Sequence, residues 1–517
     1  MRLYDHLVRA ARSSAERPAI VFGERRIGYP EYLSEVSRAA RAFLRLGVQP
    51  QERVALLLPN WPQFCFAALG AMAAGGVAVM LNLRLQAEEI RHQLEDSGSR
   101  VLVLVDRFKG RDYLETLARI RERLPALEKV IVVGTPQPGQ LGYADFLALA
   151  DGLEPERLVQ VVSVRSEDET LALLYTSGTT GRPKGVMFGH GDLIRNCQSY
   201  LSAIRMTAED RRLTVVPMYH TSGMVAVFST ILAGAGVVLL DDFSADECWR
   251  AIERERCTVF GGVPTILTLM LRSPLCGQVD ASSLRVFVSF GAPLPPALVR
   301  AARERGLDVL NVYGMTELGI ATLTQFGDPP DRLERTVGRA APHVELKIAD
   351  RQRRPLPDGE VGELAVRSRT MMKGYFGQPE ATRACFDAEG FFYTRDLARR
   401  LPDGYLEILG RLDDMYIRGG VNVYPKEIED VLATHPAVQL CAVVGVPDPV
   451  MGEVGRAFVV LRPGKTALPE ELRAYLAERI ADYKVPAAVE IRDALPLNST
   501  GKIIKKALRP PQEESRS

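Results

Sequence analysis

Short apolar runs alternate with longer amphipathic stretches along most of this chain. Residues 54–58 read as a buried strand, 62–74 as a helix and 77–81 as a second strand. Residues 86–96 carry the spacing of an amphipathic helix, and 101–105 and 130–133 read as further strands. Residues 171–175 form another apolar run, with 186–188 as its return. Runs near 213–216, 236–240, 258–260, 285–289 and 308–311 follow, separated by helical spans. That rhythm predicts parallel βαβ units. Between about 340 and 409 the period falls to two: Val344, Leu346 and Ile348 alternate with polar neighbours, and Asp358-Gly359 and Asp403-Gly404 supply hairpin turns. Beyond Arg411 the pattern predicts a helix over 425–435, strands over 440–446 and 457–461, and a helix over 469–480. The expected fold is α/β. A large N-terminal domain, 1–410, holds two related α/β layers plus a small β subdomain, and a small α+β C-terminal domain, 411–517, follows. The tail 510–517 reads as disordered.

At 517 residues the chain exceeds what one core usually supports, in agreement with more than one domain. A formal net charge of +1 leaves no global field to recruit nucleic acid or an anionic membrane. Two stretches free of acidic and basic charge, 64–81 and 213–240, bear on a membrane reading. Gly70, Gly75 and Gly76 break the first, and Pro217 and His220 the second, so both read as buried core rather than transmembrane segments. The N-terminus lacks the long apolar stretch of a secretory signal. Cysteines at 65, 197, 248, 257, 276, 385 and 441 form no C-x-x-C pair, and this odd, scattered set suits reduced thiols and a cytoplasmic location.

The stretch from Tyr175 to Val186 changes the picture most. Between its apolar flanks stand Thr176, Ser177, Gly178, Thr179, Thr180, Gly181, Lys184 and Gly185. Glycines admit backbone conformations that side chains forbid. The loop offers N–H groups, hydroxyls and an ammonium to one anionic ligand, and phosphate fits best. It is not the Walker loop G-x-x-x-x-G-K-[ST], because Gly178 and Gly181 stand too close and Lys184 precedes Gly185. The Gly-Lys-Thr at Gly464 has Val459 where the first glycine should be.

The stretch closely resembles the phosphate-binding signature of the AMP-forming acyl-CoA synthetases, within the adenylate-forming superfamily, and further motifs follow in that family's order. Pro217-Met-Tyr-His-Thr-Ser-Gly223 resembles the acyl-pocket motif, which gives His220 a catalytic, acyl-binding role by resemblance. Ser289-Phe-Gly-Ala-Pro293 and Asn311-Val-Tyr-Gly-Met-Thr-Glu317 each end a strand, and adjacent strand ends in an open α/β sheet form a ligand crevice. By resemblance Gly291, Ala292 and Pro293 lie along the adenine, Asn311 contacts its edge and Tyr313 packs on its face. Gly314 and Met315 border the nucleotide and acyl sites, Thr316 contacts the α-phosphate, and Glu317 holds Mg²⁺ as an oxygen ligand. Tyr393-Thr-Arg-Asp396 matches Y-x-T-G-D in part: Asp396 takes the ribose hydroxyls, and Arg395 stands where the family has glycine. Arg411 reaches the ribose or phosphate, and Asp413 is the hinge of a mobile C-terminal domain. Gly419 and Gly420 admit the pantetheine arm of coenzyme A. Lys502, in Pro496-Leu-Asn-Ser-Thr-Gly-Lys502, is the catalytic lysine and an ATP ligand.

The resemblance runs over about residues 1–507 and implies two steps, from carboxylic acid and MgATP to acyl-AMP and pyrophosphate, then with CoA to acyl-CoA and AMP. No aspartate stands in the 217–223 loop to hold an amino acid's ammonium, which favours a simple carboxylic acid. Val263, Phe290, Met315 and Ile320 suggest an apolar pocket for a medium- or long-chain fatty acid or another apolar monocarboxylate, with an aryl acid as alternative. None of these positions is a cation, which predicts monocarboxylates over dicarboxylates. Other readings are an acyl-AMP ligase that loads a carrier protein, a luciferase-like oxidase and an inactive nucleotide-binding regulator. The presence of Lys184, Glu317, Asp396, Arg411 and Lys502 argues against the last. Whether the chain forms a homodimer is left open.

Overall fold

The computed structural model describes residues 2–164, 166–176, 183–419, 421–497 and 503–509. Ser177, Gly178, Thr179, Thr180, Gly181, Gly420 and Lys502 lie outside the described residues, as does the tail 510–517.

Two large sheets form the body of the protein. The first runs in the order Arg339–Ala340, Gly319–Leu323, Asp308–Met315, Val286–Phe290, Val259–Gly262, Arg211–Thr214, Gly236–Leu239, Pro18–Phe22, Arg25–Gly28. From Asp308–Met315 to Pro18–Phe22 every neighbouring pair is parallel. The second runs Gly374–Tyr375, Lys184–Gly189, Thr170–Thr176, Val77–Met80, Arg53–Leu57, Val101–Val105, Lys129–Val133, Leu141–Gly142. It is parallel from Thr170–Thr176 onward. These are the two expected α/β layers. Val77–Met80, Val101–Val105, Gly236–Leu239 and Val259–Gly262 are buried along their whole length, as helices on both faces require.

The helix His190–Ile204 leaves the return strand Lys184–Gly189 and packs on Gly319–Leu323 of the other sheet, which ties both layers into one core. The uncharged stretches supply the helices Pro62–Ala73 and Thr221–Ala233, each buried on almost every side. Among the described residues no helix is long and apolar enough to cross a membrane. The first 52 residues, unassigned by pattern, contribute the helices Leu3–Ser13 and Tyr29–Arg45 and the hairpin that closes the first sheet.

Val344–Ala349, Val361–Ser368, Phe392–Arg400 and Leu406–Arg411 form the expected small antiparallel sheet. Beyond it, Tyr416–Arg418, Val421–Val423, Val438–Asp448, Gly452–Leu461 and Ala488–Ile491 make a sheet with its own core around Ile428, Leu432, Val459 and Leu472. Both helices of this unit are shorter than their apolar spacing suggests. The first, Pro425–Leu432, stops before 435, where Thr434 Oγ1 donates back to the Val431 carbonyl (2.6 Å). The second, Pro469–Ala477, stops before 480, where the Arg479 N–H tightens onto the Leu476 carbonyl (2.8 Å).

Candidate active site

A cavity of about 1040 Å³ draws its wall from both large sheets and from the small antiparallel one. Of the residues singled out by sequence, Thr176, Lys184, His220, Val263, Phe290, Gly291, Gly314, Met315, Thr316, Glu317, Ile320 and Arg411 line it. Ala292, Pro293, Asn311, Tyr313, Asp396, Asp413 and Gly419 are not on its wall. The register explains why distant motifs converge. Ser289 lies beside Asn311 in parallel strands, so Gly291 leaves one strand and Thr316-Glu317 leave the next at the same edge of the sheet. Gly314 permits the turn that follows. A Cβ there would stand 2.0 Å from the Gly319 carbonyl oxygen, backbone against backbone.

The phosphate-loop flank and the Glu317 loop meet through Tyr375, a residue that sequence reasoning missed. Glu317 is buried, and its carboxylate accepts a hydrogen bond from the Tyr375 hydroxyl (3.0 Å). Lys184 Nζ sits 4.8 Å over the same tyrosine ring. Burial, and then the Glu317 carboxylate, push the Tyr375 hydroxyl far above its ordinary pKa, so it stays a donor. Thr176 Oγ1 is buried with no partner among the described residues, a hydroxyl left for a ligand. Among the described residues no group of three or more His, Cys, Asp or Glu could hold a metal. A lone buried carboxylate fits Mg²⁺, which keeps most of its coordination for waters and substrate phosphates.

Asp396 accepts from the Tyr313 hydroxyl (2.5 Å) and from Arg411 Nη1 (2.9 Å). Burial and this carboxylate also raise the Tyr313 hydroxyl far above its ordinary pKa. Asn311 is nearly buried, with Nδ2 donating to the Thr336 carbonyl (3.3 Å) and its N–H to Thr324 Oγ1 (2.8 Å). His220 starts the helix Thr221–Ala233, its carbonyl accepting from the Met224 N–H (2.9 Å) and its ring edge-on to Tyr219. Gly419 has φ +55, and its N–H donates to the Met451 carbonyl (2.8 Å).

Arg395, at the family's glycine position, adopts a left-handed backbone with φ 60. Its guanidinium pairs through two nitrogens with Asp413, one of them at 3.0 Å. Hydrogen bonding from Arg395 is the main cause that holds the Asp413 carboxyl below its ordinary pKa. The left-handed backbone costs a side-chain-bearing residue about 1–2 kcal/mol. An exposed ion pair returns at most about 1 kcal/mol. Arg395→Gly should therefore melt within a few degrees of the parent. Arg395→Ala keeps the strain and loses the pair, so it should melt below both. A calorimetric scan of the three proteins decides it, and Ala melting at or above Gly would contradict this account.

Arg212 also escaped the sequence reading. The acyl-pocket positions named above carry no cation, but Arg212 lines the same cavity and is 1 % exposed. It stands beside Arg211 and after Glu209-Asp210, so the chain gives no local signal of its burial.

Comparison with known proteins agrees with this geometry. The family model "AMP-binding enzyme" matches residues 7–376, and "AMP-binding enzyme C-terminal domain" matches 427–502. The chain is 38% identical over 510 residues to a 3-[(3aS,4S,7aS)-7a-methyl-1,5-dioxo-octahydro-1H-inden-4-yl]propanoyl:CoA ligase of Rhodococcus jostii (strain RHA1), covering 97% of each chain. It is 37% identical to a feruloyl-CoA synthase of Amycolatopsis sp, again over 97% of both. ATP-bound MatB from Rhodopseudomonas palustris superimposes with a TM-score of 0.88 at 31% identity, over 98% of each chain. A family model over most of the chain and relatives matched along nearly their whole length show that the chain belongs to the AMP-binding enzyme family.

Proposed function

We propose that the protein is an ATP-dependent carboxylic acid–CoA ligase that works through an acyl-AMP intermediate. One observation carries this reading. The wall of one cavity carries the phosphate-binding candidates Thr176, Lys184, Thr316 and Glu317 together with the apolar side chains of Val263, Phe290 and Ile320. Adenylation of an apolar acid needs both kinds of group around one space. The relatives whose printed names give a dioxo-octahydroindenyl propanoyl group and a feruloyl group support an acid with a bulky, largely apolar body. A medium- or long-chain fatty acid fits the same wall.

In the first step a carboxylate oxygen attacks the α-phosphorus of ATP, and the bond to pyrophosphate breaks. In the second the sulfur of CoA adds to the acyl carbonyl carbon, its proton passes to solvent, and the C–O bond to AMP breaks. A carboxylate is already a nucleophile, so this chain's residues position the reactants and stabilise charge. Lys184 and Thr176 orient phosphate oxygens, Thr316 contacts the α-phosphate, and Tyr375 holds Glu317 in place. Mg²⁺, held by Glu317, supplies neutralising charge on the phosphates when bound. Asp396, braced by Tyr313 and Arg411, takes the ribose hydroxyls.

The reading divides the chain at 410/411, with Asp413 as hinge, Lys502 serving adenylation and Gly419-Gly420 admitting CoA. Seven free thiols suit a cytoplasmic protein. A homodimer is an outcome that light scattering would weigh. The functional test is incubation with ATP, CoA and a panel of carboxylic acids, with every product quantified. Acid-dependent AMP, pyrophosphate and acyl-CoA are expected. Product that forms on a carrier protein and not on free CoA would move the assignment to carrier loading.

A further inference from the structure

We propose that the acyl end of the cavity receives an acid whose apolar body ends in an oxygen acceptor, bound there by the guanidinium of Arg212. This rests on the acid–CoA ligase reading and names its substrate class. Arg212 lies in the strand Arg211–Thr214 and pairs with Val259 of the next strand. Its guanidinium reaches Gly261, which stands level with Val288, three residues or about 10 Å of strand below Gly291. The reacting carboxylate belongs at the edge that delivers Gly291 and Thr316, so Arg212 faces the far end of the acid.

The surroundings of Arg212 are those of a binding group rather than a surface charge. Its Nη1 donates to the Tyr200 hydroxyl, and the guanidinium stands 5.0 Å from that ring's centroid. Gly261 makes the space: a Cβ there would lie 3.0 Å from Arg212 Nη2. Nε is buried with no hydrogen-bond partner, and among the described residues no carboxylate pairs with Arg212. Its neighbour Arg211 shows the contrast, since Arg211 reaches the Glu255 carboxylate at 3.7 Å. An arginine does not give up its proton inside a protein, so the charge stays in the site. A buried charge without a partner is costly, and a phenol with a ring face offsets only part of that cost. A ligand oxygen, whether of a ketone or of a second carboxylate, completes the set with a charge-assisted hydrogen bond.

The test uses saturated acids of increasing length, each as the plain acid, the terminal methyl ketone and the α,ω-diacid. The kcat/KM for acid-dependent AMP release is measured for the parent, Arg212→Met and Arg212→Gln. Methionine fills similar volume, and replacing a buried charge by an apolar group is often neutral for folding. Thermal melting checks each variant, and glutamine, which keeps a donor, serves if the methionine variant does not fold. At the best chain length the parent should prefer an oxygen-bearing acid over the plain acid by about 10- to 100-fold, the scale of a hydrogen bond to a charged group. Arg212→Met should erase that preference. Arg212→Gln should retain part of it. The ketone and diacid arms identify whether the acceptor is neutral or anionic. A preference for plain acids at every length, or one for oxygen-bearing acids that survives Arg212→Met, would overturn the proposal while leaving the ligase reading intact. AMP release from no acid would overturn both.

Discussion

Lys502→Ala should slow acyl-AMP formation by about 10²–10³-fold, the scale of losing one transition-state electrostatic contact, and leave thioester formation from supplied acyl-AMP largely intact. The chain around it supports the choice of lysine. Leu497 and Ile503 bridge antiparallel, and the Ile504 N–H donates to the Pro496 carbonyl (2.8 Å), so the described residues on either side of 498–502 lie together. Lys505, in the same basic run, is already engaged by Glu429 (2.7 Å) and Asp414 (3.6 Å), a structural role. Gly420→Leu should do the reverse of Lys502→Ala, blocking the thiol while pyrophosphate exchange survives. On the proposed reading the two groups stand at different points of the chain beyond 410, and one orientation would not easily present both to the same acyl-phosphate centre. A hinge at Asp413 would let a rigid unit deliver each in turn. Pyrophosphate exchange and CoA capture of supplied acyl-AMP, measured on both variants, separate the steps. Equal loss of both steps in both variants would mean one fixed site and no hinge.

Glu317→Gln should cut pyrophosphate exchange by about 10²-fold or more, again on the scale of one lost electrostatic contact. It should hardly change folding. The amide keeps the shape and can still accept from the Tyr375 hydroxyl, while the charge proposed to hold Mg²⁺ is gone. Tyr375→Phe removes only the positioning hydrogen bond and should cost about 10-fold, a net bond of roughly 1 kcal/mol plus some loss of order. Exchange followed against magnesium, together with thermal melting, distinguishes a metal role from a packing role. Normal exchange by Glu317→Gln at limiting magnesium would remove Glu317 from the site.

Much of this architecture could be read from the chain because its signals are local. The parallel strands are short apolar runs bounded by turns, and the antiparallel subdomain shows period two around Val344, Leu346 and Ile348. The strand-end motifs at 289–293 and 311–317 stand in adjacent parallel strands, so convergence on one edge follows from topology alone. What escaped was set by contacts between distant residues. Tyr375 reaches Glu317 from 58 positions away, across two sheets, and carries no motif of its own. Arg212 sits beside a second arginine in a strand edged by charge, where a surface reading is natural, and only the packing against Tyr200 and Gly261 reveals its burial. Arg395 was noticed as a departure from glycine, but its left-handed backbone and its pairing with Asp413 needed the fold.

The most direct test of the account follows the oxygen atoms. The acid is supplied with both carboxylate oxygens as ¹⁸O, turned over with ATP and CoA, and the products are weighed by mass spectrometry. Attack of the carboxylate on the α-phosphorus makes one of its oxygens the bridge of acyl-AMP. Breaking the acyl C–O bond in the second step leaves that oxygen on the nucleotide. The account predicts AMP carrying one ¹⁸O for each thioester formed, with unlabelled pyrophosphate. Label in inorganic phosphate beside ADP, or AMP without label, would contradict it.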